Sequence, residues 1–244
     1  MSCITYCYHR DPLAEALKKV ARLGFRAVEV WAGHSDGKAS FDGGGDPAAV
    51  RRLAQEAHLQ MEAYHVGSFS EEDVGRMEAA FDFARALGVG VVNGCASPRV
   101  VDDIADLCEQ YDLRFGIENH WQESFELPDD LLPVLARLSP RVGVNFDTGH
   151  FASAGCDPLE AYHALQSRLV HVHLKDVLEP GSHTNVPFGR GSARIADVVL
   201  ELRASQYGGY LCLEYESEGD PSAGLLACRH FVEEILGPTS AAQQ

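Results

Sequence analysis

The stretch Arg168-Leu-Val-His171-Val-His173-Leu-Lys-Asp176 organises the rest of this 244-residue chain. Its apolar residues alternate with two histidines, which is typical of a buried β-strand in which every second side chain shares a face. His171 and His173 therefore point the same way. Burying two imidazoles on one face is costly unless a ligand or a hydrogen-bond partner uses their nitrogens.

Three further apolar runs end in acids or imidazoles. They are Phe115-Gly-Ile-Glu118-Asn-His120, Val142-Gly-Val-Asn-Phe-Asp147-Thr-Gly-His150 and Tyr210-Leu-Cys-Leu-Glu214-Tyr-Glu216. One carboxylate at a strand end is usually a helix cap or a partner for a nearby lysine. The same feature at the same end of successive strands instead indicates a shared metal site.

Short strand-like runs alternate with amphipathic helical runs eight times along the chain, and this pattern predicts a parallel sheet. Eight units within residues 1–237 predict a single (β/α)8 barrel, with 238–244 as a frayed tail. Asp-Pro pairs recur at four predicted helix starts, which is consistent with a repeated strand-helix unit. An open doubly wound sheet is the rival fold. The turn Tyr8-His-Arg-Asp-Pro12 has no Gly-x-Gly-x-x-Gly, so a dinucleotide role has no support.

The composition limits the classes of partner that the chain is expected to bind. The chain carries 20 Lys and Arg against 36 Asp and Glu, a net charge of −16, which disfavours nucleic acid and anionic membrane surfaces. Its seven cysteines form no Cys-x-x-Cys pair, so we expect reduced thiols and a cytoplasmic location. We also expect no signal peptide and no membrane span, because no apolar run has the required length.

In a (β/α)8 barrel the carboxyl ends of all strands surround one mouth. Glu118, Asp147, His173 and Glu214 would therefore meet there, from strands five to eight. Three carboxylates and one imidazole suit Mn²⁺, Mg²⁺ or Co²⁺, with Zn²⁺ and Fe²⁺ as alternatives. The absence of cysteine from this set argues against a structural zinc site.

Other polar and aromatic residues are candidate substrate contacts, and each has a structural alternative. His171 either lines the pocket or is a hydrogen-bonded core histidine, and His150 either faces the mouth or caps a helix. Trp31 and Trp121 either wall a sugar pocket or pack in the core. Glu29 could orient a neighbour such as His65. The predicted substrate contacts are His65, Asn93, His120, His150, His171, Trp31 and Arg190.

The ordered set of motifs resembles the xylose isomerase-like TIM-barrel superfamily of sugar isomerases and epimerases. This superfamily includes the tagatose 3-epimerase, hydroxypyruvate isomerase and inosose dehydratase groups. The matching segments are Gly24-Phe-Arg-Ala-Val-Glu29, Ile117-Glu-Asn-His120, Phe146-Asp-Thr-Gly-His150, His171-Val-His-Leu-Lys-Asp176, Pro187-Phe-Gly-Arg-Gly191 and Gly209-Tyr-Leu-Cys-Leu-Glu214.

The resemblance implies one divalent metal ion, manganese first, held by Glu118, Asp147, His173 and Glu214. It implies a small carbohydrate substrate and a chain that can pair as a homodimer. Glu118 and Glu214 would be the catalytic pair, moving a proton through a metal-stabilised enediolate to give isomerisation or epimerisation. Loss of a β-hydroxyl from the same intermediate would instead give dehydration.

Two departures from the family pattern leave the substrate open. Arg190 stands where many relatives have the glutamate of Gly-Glu-Gly, and it either reads an anionic group or is an exposed loop residue. The epimerases place an arginine soon after the ligand histidine, where this chain has Lys175-Asp-Val-Leu-Glu-Pro.

Two other functions are weighed against the isomerase. An endonuclease IV-like activity is disfavoured by the net charge, by His183-Thr-Asn185 in place of an Asp-x-His pair, and by Asn93 in place of a histidine. A non-catalytic sugar- or metal-binding barrel, or a subunit of a larger enzyme, is the alternative of another class.

Overall fold

Eight parallel strands form a closed barrel in the computed structural model, which describes residues 1–237. Neighbouring strands are hydrogen-bonded in chain order, and the first strand pairs with the eighth to close the cylinder. The predicted (β/α)8 barrel is therefore confirmed, and the open sheet is wrong. The predicted tail lies outside the described residues. The strands are β1 Ser2–Ile4, β2 Ala27–Trp31, β3 Gln60–Phe69, β4 Val91–Ala96, β5 Arg114–Glu118, β6 Val142–Asp147, β7 Leu169–Leu174 and β8 Leu211–Leu213.

Helices surround the barrel and pack against it. The first helix buries Leu13, Ala16, Leu17 and Val20, spaced three or four residues apart as an amphipathic helix requires. Among the helices within residues 1–237, none combines the length and the apolar character needed to cross a membrane. The helices are α1 Leu13–Arg22, α2 Pro47–Glu56, α3 Val74–Leu87, α4 Val101–Tyr111, α5 Pro128–Leu135, α6 Thr148–Ser153, α7 Pro158–Leu165, α8 Ile195–Ala204 and α9 Ser222–Leu236.

Two of the four Asp-Pro pairs begin helices as predicted. Asp46 and Asp157 each accept a hydrogen bond from the backbone N–H two residues on, at 2.9 and 2.8 Å, and each precedes a first-turn proline. At α1 the prediction is wrong. The helix begins one residue later, and the Asp11 carboxylate lies 2.8 Å from Lys19 Nζ instead of capping it.

Polar side chains occupy the barrel interior, where aliphatic residues usually stack. Glu29, Asn93, Asn145 and His173 have no exposed surface. Glu29 on β2 reaches His173 on β7, so both side chains point into the barrel. Buried polar groups are costly unless they are paired, and these four side chains hydrogen-bond to one another.

The long loop after β7, residues 177–192, is fixed by one buried carboxylate. Asp176 accepts three backbone hydrogen bonds, from Gly189 and Gly191 to Oδ2 at 2.9 and 3.0 Å and from Ala193 to Oδ1 at 3.0 Å. Any Cβ at Gly191 would overlap the Val177 carbonyl oxygen and this carboxylate. The loop is therefore held in one place at the mouth of the barrel.

Candidate metal centre

The four predicted metal ligands come together at the carboxyl ends of the strands. Glu118 ends β5, Asp147 ends β6, His173 lies on β7 and Glu214 directly follows β8. One ligand atom from each lies within 4.8 Å of the others, and none of the four residues is more than 5% exposed. The structure thus contains a buried acidic cluster that could hold a metal ion, as the sequence predicted.

His173 lies at the centre of this acidic cluster. Its Nδ1 is 2.9 Å from Glu118 Oε1, 3.2 Å from Glu214 Oε2 and 3.8 Å from Asp147 Oδ2. On the far side of the ring, Nε2 lies 2.6 Å from Glu29 Oε2. Metal-bound histidines are usually held in this way, with a carboxylate on the second nitrogen. Glu29 therefore orients His173, where the sequence had suggested His65.

Asp147 has one satisfied and one unsatisfied oxygen. Oδ1 accepts the backbone N–H of His150 at 2.7 Å and so begins α6, while buried Oδ2 has no hydrogen-bond partner among residues 1–237. Burial raises the pKa of Asp147 to about 7, against the opposing charges of Lys175 and His173. A divalent cation would satisfy this oxygen and displace the proton, so the residues present fit a metal ion.

The two glutamates have different outer partners. Glu118 Oε2 lies 3.1 Å from His65 Nε2, and Glu214 Oε1 accepts a 2.6 Å hydrogen bond from Lys175 Nζ. Lys175 also donates to Glu216 Oε1 at 2.7 Å. Each glutamate thus gives one oxygen to the acidic cluster and the other to a group that can carry a proton.

These partners keep both glutamates ionised. Burial alone would raise the pKa of Glu118, but the nearby His65 and His173 outweigh it and hold the pKa well below its ordinary value. Burial likewise opposes the charge of Lys175 at Glu214, and the pKa of Glu214 is lowered. Both carboxylates can therefore bind a cation or accept a proton at neutral pH.

A cavity of about 460 Å³ opens above the acidic cluster, within the size range of small-molecule sites. Four of the predicted substrate contacts line it: Trp31, His65, His120 and His150. Trp121 also lines it and packs against His183, with ring centroids 3.4 Å apart. The cavity thus presents aromatic walls together with the carboxylates of Glu118 and Glu214.

The structure does not bring the other three predicted contacts to this cavity. Asn93 is fully buried and donates to Glu29 Oε1 at 2.8 Å. His171 points into the barrel interior, where it bonds Asn145 and Glu62. Arg190 is exposed in the loop after β7. None of these three is among the cavity-lining residues of the described chain.

Several residues of this region had no predicted role. Lys175 and Glu216 line the cavity, and Asn145 Nδ2 donates to Glu118 Oε1 at 3.2 Å. The sequence did contain an indication of their position. Each lies two residues from a predicted ligand, and residues two apart in an extended segment share a face. Glu62, which bonds His171, had no such neighbour among the motifs.

The family model described as xylose isomerase-like TIM barrel matches residues 17–232. The chain belongs to this family. Over 134 residues it is 28% identical to the inosose dehydratase of Lactiplantibacillus plantarum, an alignment that covers 48% of this chain and 44% of that enzyme. The chain therefore spans about half the length of such curated relatives.

Solved structures resemble the chain over nearly its whole length. A D-tagatose 3-epimerase-like protein superposes with a TM-score of 0.79 at 19% identity, covering 96% of each chain. The 3-keto-D-glucoside 4-epimerase of E. coli superposes with a TM-score of 0.76 at 14% identity, covering 96% of this chain and 98% of that one. At these identities the likeness shows the fold alone.

Proposed function

We propose that this chain is a divalent-metal-dependent isomerase or epimerase of a small sugar, keto-sugar or related polyol. The observation that carries the proposal is the buried cluster of Glu118, Asp147, His173 and Glu214 beneath an aromatic-walled cavity. The oxygen-rich ligand set favours Mn²⁺, and Mg²⁺, Co²⁺, Zn²⁺ or Fe²⁺ would also fit. Relatives named as inosose dehydratases support a substrate of the keto-sugar or polyol class.

A bound divalent cation would supply Lewis-acid stabilisation of the negative charge that develops on a substrate oxygen. Glu118 and Glu214 would carry the proton transfers. One carboxylate accepts the proton from the carbon next to the substrate carbonyl, giving an enediolate, and the other returns a proton. Return to the same carbon from the other side gives an epimer, and return to the neighbouring carbon gives the aldose or ketose isomer.

The outer partners of the glutamates suit these roles. Burial lowers the pKa of His65, but Glu118 outweighs it and the pKa is raised. His65 can therefore share a proton with Glu118, and Lys175 can share one with Glu214 across their 2.6 Å hydrogen bond. Trp31 and Trp121 offer apolar faces on which the C–H groups of a sugar can pack.

Dehydration is the second candidate, and Lys175 is the observation that favours it. Its ammonium lines the cavity between Glu214 and Glu216 and is only 5% exposed. After the same deprotonation, this group could protonate a departing β-hydroxyl. Several curated relatives of the chain are named inosose dehydratases. The two reactions share their first step and differ only in whether water leaves.

The proposal is tested by assaying hydrogen exchange in deuterated water. Ketoses, ketose phosphates, inososes and hydroxypyruvate are incubated with chelator-treated protein reloaded with Mn²⁺, Co²⁺ or Mg²⁺. We expect at least one substrate to exchange its C–H hydrogen and to be isomerised or epimerised. Appearance of a dehydrated product instead would assign the lyase reaction.

Two variants and a matched control sharpen this test. Glu118→Gln and Glu214→Gln should each slow exchange by about 10² or more, the usual contribution of a positioned acid or base. Glu123→Gln changes an exposed carboxylate on the same cavity wall and should have little effect. Native exchange rates in both glutamine variants would refute the two-carboxylate scheme. Binding of a polyol without any exchange would favour the non-catalytic barrel.

A further inference from the structure

A second group of ligand-type side chains lies inside the barrel, nearer the amino ends of the strands. Glu29 on β2, Glu62 on β3, His171 on β7 and Cys212 on β8 form this lower cluster. His171 and Cys212 each stand two residues before a member of the acidic cluster, one layer further down the barrel. One oxygen from each glutamate, one imidazole nitrogen and the thiol sulfur lie within 4.8 Å of one another.

Two carboxylates are buried in the lower cluster without a lysine or arginine partner in the described chain. Glu29 and Cys212 are fully buried, His171 is 2% exposed and the Glu62 side chain is 3% exposed. Within residues 1–237 the ion pairs of both glutamates are made with histidines alone. Their other partners are neutral donors: Ser2 Oγ donates to Glu62 Oε1 at 2.7 Å, and Asn93 Nδ2 and the Cys212 thiol donate to Glu29 at 2.8 and 3.5 Å. A cation in this layer would offset the cost of burying two carboxylates.

The amide of Asn145 determines which nitrogen of His171 is free. Its Nδ2 lies 3.2 Å from Glu118 Oε1, and a carboxylate can only accept, so the amide nitrogen must be on that side. Asn145 Oδ1 therefore accepts from His171 Nδ1 at 3.1 Å, which places the ring hydrogen on Nδ1. A hydrogen-bond acceptor on the other ring nitrogen usually orients a metal-bound imidazole.

The other nitrogen of His171 faces only acceptors. Nε2 lies 3.0 Å from both oxygens of Glu62. A cation between His171 and Glu62 would face the free ring nitrogen and both carboxylate oxygens.

We propose that Glu29, Glu62, His171 and Cys212 bind a second divalent cation of borderline character, Zn²⁺ or Co²⁺. Four ligands that include a thiolate and an imidazole suit a closed tetrahedral site for such ions and do not suit Mn²⁺ or Mg²⁺. Binding releases the thiol proton of Cys212. Glu29 would join the two sites, since it also accepts from His173.

The thiolate gives the test its specificity. Chelator-treated protein is titrated with Co²⁺ alone, and the metal content per chain and the absorption spectrum are measured. We expect two ions per chain and a near-ultraviolet sulfur-to-cobalt charge-transfer band. Cys212→Ser should remove the band and bind one ion per chain. A single ion in the native protein, or a band that survives Cys212→Ser, would overturn the proposal.

Further variants separate the two sites. Cys95 Sγ lies 3.8 Å from Glu118 Oε2, so Cys95→Ser is the matched control and should keep the band; loss of the band there would assign the thiolate to the acidic cluster and overturn the proposal. Glu62→Gln is a second route to the one-ion state if Cys212→Ser does not fold. Asp147→Asn should leave the band in place, so the lower site is tested whatever the chain catalyses.

Discussion

Replacing Asp147 by asparagine should stabilise the metal-free protein above neutral pH and lower its affinity for a cation. The reason is the buried Oδ2, which has no hydrogen-bond partner among the described residues. The pKa of this group is about 7 in the fold and 3.8 in its ordinary state. At about 1.4 kcal/mol for each pH unit, the difference corresponds to roughly 4 kcal/mol.

The sign follows from proton binding. Between about pH 4 and pH 7 the folded protein keeps a proton on Asp147 that the unfolded chain has lost. Stability therefore falls as pH rises through this window, and the full penalty is present above pH 7. Asparagine cannot ionise, so the variant escapes the penalty. The expected gain is about 1.5 kcal/mol at pH 5 and about 4 kcal/mol at pH 8.

Urea unfolding in the presence of a chelator measures this difference at the two pH values. Asp176→Asn is the matched control, because Asp176 is also buried but accepts three backbone hydrogen bonds. It should lose about 1–3 kcal/mol at both pH values. Saturating Mn²⁺ should stabilise the native protein and not Asp147→Asn. A variant less stable than the native protein at pH 8, or a gain independent of pH, would refute the reasoning.

Three other substitutions test the surroundings of the site. Lys175→Met should destabilise the metal-free protein by about 3–5 kcal/mol, because it leaves two glutamates without their ammonium partner; unchanged urea unfolding would contradict this. Glu29→Gln should weaken Mn²⁺ binding by about 10–100-fold, since Glu29 orients His173, and calorimetric titration would show it. Trp31→Ala should raise KM more than it lowers kcat if the indole only packs against substrate; a selective fall in kcat would argue against that role.

The barrel and its mouth could be predicted because both follow from short-range patterns. Short, largely apolar runs, each followed by an amphipathic helix, leave few alternatives to a closed parallel sheet. Once the barrel is assumed, residues that end strands must meet. Glu118, Asp147 and Glu214 are such residues, so their convergence needed no knowledge of side-chain packing.

Depth within the barrel could not be predicted in the same way. His171 shares a strand face with His173, but two residues of strand separate them by about 6.6 Å. That distance is enough to move His171 from the cavity to the layer beneath it. Asn93 fails to reach the cavity for a similar reason, since its amide bonds Glu29 inside the barrel.

Irregular strand pairing makes further contacts hard to predict from the sequence. The register between β2 and β3 shifts between Val28 and Glu29, and that between β3 and β4 shifts between His65 and Ser68. Such shifts change which residues lie opposite each other without leaving a clear trace in the sequence. The pairing of Glu62 with His171, 109 positions apart, is one of the contacts that only coordinates disclose.

Asp176 fixes the loop after β7 without involving the side chain of residue 190. All three donors belong to the main chain, so the side chain of residue 190, between Gly189 and Gly191, takes no part in the anchorage. Arg190 can thus be exchanged for an acidic or a neutral residue while the loop keeps its shape. The charge of the side chain beside the cavity entrance can therefore change, whereas the backbone conformation that frames the entrance cannot.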